Sequence, residues 1–166
     1  MITLRSGAGA FLYNNNNVLL IHRSKNKRLA PGVWSCVGGH METHELNNPI
    51  ETCYREIEEE AGIHRNNIHS LELLYIIIRR WQNEIRQNYV YFGKTSQTQT
   101  IETSEGSLHW IPENNLLKRE YTKTFTAMLE HYVARHPQDK SIYVGVAENH
   151  NNNLQMSWTC CEDFEQ

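Results

Sequence analysis

Residues 38–63 read GGHMETHELNNPIETCYREIEEEAGI, and most of what the sequence predicts about the structure follows from them. Two glycines are expected to end a strand, a loop follows, and a short helix is predicted from Pro49 to Ala61. Asn48 suits the N-cap, Pro49 suits the first helical position, and Gly62 can adopt the left-handed conformation that ends a helix. The sequence therefore marks both ends of this helix.

The predicted helix has an acidic face and an apolar face. At about 100° per residue, Glu56, Glu59 and Glu60 share the acidic face. Carboxylates four residues apart repel each other, and acids in the last turn oppose the helix dipole. A hard divalent cation reverses both penalties, because Mg²⁺ binds one or two carboxylates together with phosphate oxygens. A solvated acidic surface is the alternative that the helix alone leaves open.

The same stretch resembles the Nudix box, in which Gly, five residues, Glu and seven residues precede Arg-Glu-apolar-x-Glu-Glu-x-Gly-apolar. Gly39 and Glu45 match the first part with the right spacing, and residues 55–63 match the second part without a gap. So many fixed residue types at fixed offsets make the resemblance specific.

Two features depart from that pattern. Nine residues, rather than seven, separate Glu45 from Arg55. We expect the extra pair to lie around Asn47 and Asn48, before the helix, so that the register of the carboxylates is preserved. His44 stands where the family usually has glycine, and a left-handed backbone there would be strained. Both changes concern the loop and leave the acidic face of the helix intact.

The resemblance implies an α/β protein, namely the Nudix-type α/β/α sandwich with a mixed sheet. It also implies a hydrolase that uses Mg²⁺ or Mn²⁺ and cleaves a nucleoside diphosphate linked to another moiety. The implied metal ligands are Gly39, Glu56, Glu59 and Glu60; the implied catalytic residues are Glu56, Arg55 and Glu105, with Glu102 in reserve; Gly38, Glu45 and Gly62 are structural residues of the box. Arg55 can also pair with Glu59 at the i,i+4 spacing.

The residues of the Nudix box do not determine which substrate is cleaved. Small size and minimal decoration favour a nucleoside triphosphate pyrophosphohydrolase, including one acting on 8-oxo-dGTP, over an ADP-ribose or nucleotide-sugar pyrophosphatase. Isopentenyl-diphosphate isomerase shares the fold but needs a Cys-Ser-His-Pro segment that this sequence lacks. A non-catalytic nucleotide-binding module would be expected to lose box carboxylates, whereas all are present here. Arg23 and Arg79 are candidate ligands of substrate phosphates, with solvent exposure as the alternative.

The rest of the chain predicts strands, a second helix and a terminal hairpin. Strands are expected at residues 4–12, 18–22, 73–81, 85–93 and 108–111, a helix from about residue 121 to His136-Pro137, and a hairpin at 142–148 and 154–160. The run from Gly7 to Ala10 indicates a close approach, by a substrate or by a packed helix. We assign residues 1–140 to the Nudix domain and residues 141–166 to a hairpin that could extend the sheet, cover an edge or mediate a homodimer.

Composition bounds the remaining possibilities. A chain of 166 residues has the length of a single domain. Its net charge of -3 does not indicate binding to a nucleic acid polymer or to a membrane surface. The four cysteines form no Cys-x-x-Cys pair, and Cys36 and Cys53 are predicted to be buried thiols. No stretch is long enough to span a bilayer. We expect a cytoplasmic protein whose partner is a nucleotide-type small molecule.

Overall fold

The computed structural model describes residues 1–26, 30–135, 138–151 and 153–163. Within them the chain forms one mixed sheet of nine strands and two α-helices. The strands are β1 (Thr3–Asn14), β2 (Asn17–Arg23), β3 (Trp34–Ser35), β4 (Val37–His40), β5 (Ile68–Trp81), β6 (Glu84–Thr95), β7 (Gly106–Pro112), β8 (Ile142–His150) and β9 (Asn153–Cys161); the helices are α1 (Pro49–Ala61) and α2 (Lys123–Ala134).

The strands follow the order β3-β2-β1-β6-β5-β8-β9, with β4 paired to β1 and β7 paired to β2. The β1–β6 and β5–β8 pairs are parallel, and the other pairs are antiparallel. The terminal hairpin therefore extends the sheet from β5, which is one of the three arrangements that the sequence leaves open.

Each face of the sheet carries one helix and one apolar core, because successive residues of a strand point to opposite faces. Phe11 of β1 packs with Phe92 and with Met128 of α2. The next residue, Leu12, packs in the other core with Ile57 of α1. The α/β/α sandwich with a mixed sheet is thus confirmed. No helix in the described ranges is long and apolar enough to cross a membrane.

Both ends of α1 lie where the sequence places them. Gly62 has a φ of 67°, and its N–H donates to the Glu58 carbonyl at 2.9 Å. Asn48 occupies the N-cap position, but its side chain makes no capping hydrogen bond. His44 lies in a short 3₁₀ helix, Thr43–Glu45, and has no positive φ, so the strain expected there is absent. Since α1 begins at Pro49, the residues from Leu46 to Asn48 all precede it.

Other boundaries differ modestly from those that the pattern predicts. β5 begins at Ile68, five residues earlier than expected, and β7 spans Gly106–Pro112 rather than four residues. Apolar spacing detects the buried part of a strand better than its polar ends, which explains both differences. Helix α2 starts at Lys123. The predicted stop at His136-Pro137 lies outside the described residues.

Candidate active site

Strands β1 and β4 approach each other so closely that neither Gly9 nor Gly38 has room for a side chain where the two residues pair. A Cβ atom on Gly9 would lie 2.8 Å from Cys36 Sγ and 2.9 Å from the Val37 carbonyl oxygen. A Cβ on Gly38 would lie 2.3 Å from Gly9 Cα. The small residues of β1 are therefore explained first by β4, rather than by a helix. Gly7 and Gly9 also line the adjacent cavity.

Gly39 allows the Glu56 carboxylate to lie against the backbone of β4. A Cβ on Gly39 would stand 2.3 Å from Glu56 Oε1 and 2.6 Å from Oε2. Helix α1 thus presents Glu56 at the glycine turn, as the spacing of the box requires. Burial raises the pKa of Glu56, and the hydrogen bond from Arg55 opposes that rise.

Glu60 is the more buried carboxylate, with only 8% of its surface exposed. Its Oε2 accepts a hydrogen bond from the Gly38 backbone N–H at 3.0 Å. Burial raises the pKa of Glu60 to about 7, and the negative charges of Glu56 and Glu105 add to the increase. A buried carboxyl next to other carboxylates ionises reluctantly unless a cation approaches.

Arg55 binds Glu45 in a bidentate ion pair. Its Nε lies 2.8 Å from Glu45 Oε1, and its Nη2 lies 3.0 Å from Oε2. Glu45 also accepts hydrogen bonds from the Glu42 N–H at 2.8 Å and from the Thr52 hydroxyl at 2.9 Å. These donors, Arg55 first, lower the pKa of Glu45 to about 2 although burial opposes them. The longer loop therefore still delivers Glu45 to the base of α1.

The same guanidinium extends to the helix and to β4. Arg55 Nη1 lies 2.9 Å from Glu56 Oε1 and 3.1 Å from Glu59 Oε2, and Nη2 donates to the His40 carbonyl at 3.0 Å. The i,i+4 pair with Glu59 is present as its spacing predicts. The Glu59 side chain is 60% exposed, so Arg55 holds it at the rim of the site rather than inside.

These groups lie beside a cavity of about 770 Å³. Of the residues selected from the sequence, the cavity is lined by Arg23, Gly38, Gly39, Arg55, Glu56, Glu60, Arg79 and Glu105. Glu59, Glu102, Glu45 and Gly62 do not line it. Glu105, the acid preferred from the resemblance, lies in the cavity wall, whereas Glu102, the reserve, does not.

The donor set fits a hard divalent cation of the Mg²⁺ type. Glu56 and Glu60 each have one oxygen engaged, by Arg55 and by Gly38 respectively, and the other oxygen has no hydrogen-bond donor among the described residues. Mg²⁺ is typically bound by one or two protein carboxylates, while substrate phosphate oxygens and water complete its coordination. The two carboxylates and a backbone carbonyl present here match that ligand set. No larger group of His, Cys, Asp or Glu side chains in the described ranges is placed to hold a metal ion.

Sequence reasoning missed several residues of the cavity wall. Arg5, His40 and Asn88 all line it, as does the partly exposed Trp81. Arg5 comes beside Arg86 only because β1 and β6 are parallel neighbours, a pairing between distant segments that no local pattern encodes. For Arg86 a signal exists, since the predicted β5–β6 hairpin already brings it close to Arg79, and the structure pairs the two residues.

Cys36 and Cys53 are buried free thiols, as predicted. Burial is the main cause that raises the pKa of Cys36 to about 12. A thiol in that condition is a poor nucleophile. We therefore assign Cys36 a packing role beside Gly9.

Comparison with known proteins agrees with this fold. The NUDIX domain model matches residues 3–132. This chain therefore belongs to the Nudix family. Among solved structures, the mutator MutT protein from Bacillus halodurans matches with a TM-score of 0.72 and 18% identity, over 94% of this chain and 97% of that one.

Two further structures share the fold at similar distance. The NUDIX domain of Shewanella oneidensis NrtR, complexed with ADP ribose, has a TM-score of 0.59 and 17% identity, and the match covers 81% of this chain and 90% of that one. An Ap4A hydrolase from C. elegans, in a binary complex, has a TM-score of 0.58 and 18% identity, and the match covers 80% of this chain and 96% of that one. At such identities the similarity concerns the fold.

Proposed function

We propose that the protein hydrolyses a phosphoric anhydride bond in a nucleoside diphosphate linked to another group, with nucleoside triphosphates, including 8-oxo-dGTP, as substrates. One observation carries the proposal: the buried Glu60 and the partly buried Glu56 line the same cavity as Arg23 and Arg79. Carboxylates recruit the cation, and guanidinium groups match phosphate oxygens. A volume of about 770 Å³ is in the range of small-molecule sites.

Mg²⁺ or Mn²⁺ would be held by Glu56, Glu60 and the Gly39 carbonyl, with Glu59 at the rim as a further candidate ligand. When bound, such a cation neutralises phosphate charge and lowers the pKa of a water molecule. Arg55 keeps Glu56 in place through the 2.9 Å bond to Oε1 and is itself fixed by Glu45. Its role is to position a ligand.

Glu105 is our choice for the group that accepts a proton from the attacking water, with Glu56 as the alternative. Glu105 lies on the segment before β7 and lines the cavity, and its charge acts on Glu60. Glu56, the alternative, accepts a hydrogen bond from Arg55 and lies against Gly39. A base must lie within reach of the water it activates, and the cavity wall is where such a water would stand.

A panel of nucleotides supplemented with Mg²⁺ or Mn²⁺ tests the proposal. The panel should contain 8-oxo-dGTP, ordinary nucleoside triphosphates, ADP-ribose and nucleotide sugars, with products separated by chromatography. We expect metal-dependent release of pyrophosphate from a triphosphate, abolished by Glu60→Gln. Absence of turnover on every nucleotide would refute the hydrolase, and isomerisation of isopentenyl diphosphate would identify the rival reaction.

A further inference from the structure

Three arginines stand side by side across the sheet at one end of the cavity. In the register of the strands, Arg5 of β1 pairs with Arg86 of β6, and Arg86 pairs with Arg79 of β5. Residues directly paired across neighbouring strands point to the same face. Phe11 and Phe92 form another pair between β1 and β6, which places the arginines on the face that α2 covers further along. All three arginines line the cavity.

This row carries more positive charge than the described carboxylates neutralise. Glu84 pairs with Arg86 at 2.7 Å and with Arg5 at 3.6 Å, so one carboxylate serves two guanidinium groups. Arg79 has no carboxylate within ion-pair distance in the part of the chain that the structure describes. Like charges directly opposite each other destabilise a sheet, so the arrangement costs stability unless an anion joins it.

Trp81 and His40 contact the three arginines and hold them in place. Trp81 packs under two of the arginines, with its ring centre 4.3 Å from the Arg86 guanidinium carbon and 5.3 Å from that of Arg79. Arg5 Nε lies 2.7 Å from His40 Nε2, which is an acceptor in the neutral ring. Three guanidinium groups beside one carboxylate, Glu84, make this end of the cavity electropositive.

We propose that Arg5, Arg79 and Arg86 form an anion subsite that binds a phosphate group of the substrate other than those beside Glu56 and Glu60. The inference rests on the proposed function and refines its substrate class. Gly39 pairs with Ala8, three residues along β1 from Arg5, which corresponds to about 10 Å of strand. An extended phosphate chain, with a cation at one end and guanidinium groups at the other, fits this polarity. Substrates whose far end is uncharged do not use the subsite.

Binding of inorganic tripolyphosphate to the metal-free protein, in EDTA at low salt, tests the subsite without hydrolysis. Without a cation the carboxylates repel the probe, so calorimetry reports the arginine row. Arg79→Gln is expected to weaken binding about tenfold, the loss typical of a charged hydrogen-bonding partner. Glu84→Gln is expected to tighten it about twofold, because the competing carboxylate is removed.

Arg80→Gln is the matched control. Arg80 is the next residue on β5, points to the opposite face and is exposed, so its substitution removes the same charge outside the cavity. Binding within twofold of wild type is expected. Equal weakening by Arg80→Gln and Arg79→Gln would reduce the effect to net charge and overturn the subsite. So would tighter binding of an uncharged nucleoside than of tripolyphosphate, since that would make Trp81 a base platform.

The two proposals fail separately. If the nucleotide panel shows no hydrolysis but Arg79→Gln still weakens tripolyphosphate selectively, the anion subsite stands and the reaction is wrong. If triphosphates are hydrolysed and Arg79→Gln changes neither tripolyphosphate affinity nor the KM for a triphosphate, the subsite is wrong and the reaction stands. With both correct, Arg79→Gln raises KM for triphosphates more than for ADP-ribose.

Discussion

Arg55 and Glu45 meet through two parallel hydrogen bonds, 2.8 Å from Nε to Oε1 and 3.0 Å from Nη2 to Oε2. The pair joins the loop after β4 to the helix that carries the acids. Since Arg55 also binds Glu56 and the His40 carbonyl, one guanidinium fixes helix, loop and strand together. Bidentate pairs of this kind are stronger and more directional than single ones.

Glu45→Gln should therefore destabilise the protein at neutral pH. The lowered pKa of the buried Glu45 corresponds to a loss on the order of 3 kcal/mol in the free energy of unfolding. Urea denaturation measures it. Glu51→Gln is the control, because Glu51 pairs with Arg65 on the exposed side of α1, where ion pairs contribute about 0–1 kcal/mol. Equal effects of both substitutions would contradict the role of the bidentate pair.

The same pair predicts a pH dependence. The pKa of Glu45 is about 2 in the folded chain, below its ordinary value of 4.5, so its contribution is complete above about pH 4.5 and is lost as the pH falls towards 2. The difference in unfolding free energy between wild type and Glu45→Gln should shrink over that window. A difference that stays constant from pH 7 to pH 3 would show that the substitution acts by packing.

Glu60→Gln should separate stability from activity. Removing a buried carboxylate beside Glu56 relieves desolvation and repulsion, so the metal-free variant should melt at or above the wild-type temperature at pH 8. Mn²⁺ should raise the melting temperature of wild type with the logarithm of its concentration and should raise that of the variant much less. Turnover should fall by orders of magnitude. Wild-type turnover at limiting metal would remove Glu60 from the ligand set.

Gly39→Ala should weaken metal binding without unfolding the chain. The added methyl would occupy the space of the Glu56 carboxylate, 2.3 Å from Oε1, and the end of that side chain can move away. We expect a higher Kd for Mn²⁺ by calorimetry, a lower kcat and an unchanged circular dichroism spectrum. Undiminished Mn²⁺ affinity would mean that Glu56 binds the cation from another position.

Glu105→Gln and Glu102→Gln form a pair that tests the proposed base. Glu105 lines the cavity, whereas Glu102 is exposed outside it. Loss of a general base typically costs 10²–10⁴-fold in rate, so kcat should fall by about that factor for Glu105→Gln. Its KM should change little, and Glu102→Gln should resemble wild type. A small effect at Glu105 would return the role to Glu56.

Local sequence was sufficient for α1 and its acids, because caps, glycines and helical spacing act within a few residues of each other. The Arg55–Glu59 pair follows from spacing alone, and the structure contains it at 3.1 Å. The Arg55–Glu45 pair could not be derived, since it depends on the path of a loop with two extra residues. Likewise, the arginine row exists only because parallel pairing brings Arg5 next to Arg86. Strand register between distant segments is set by packing of the whole sheet.

The parallel pairing of β1 with β6 affects how the chain folds during its synthesis. Thr3 pairs with Glu84 and Tyr13 pairs with Lys94, in each case about eighty residues later in the sequence. Closing so long a loop costs entropy before any pairing energy is returned, and distant contacts of this kind slow folding. During synthesis, Phe11 and Leu12 emerge from the ribosome long before β6 exists to cover them. The edge of β1 that pairs with β6 therefore stays open until about half of the chain has been made, and that interval is when a nascent copy is most exposed to aggregation.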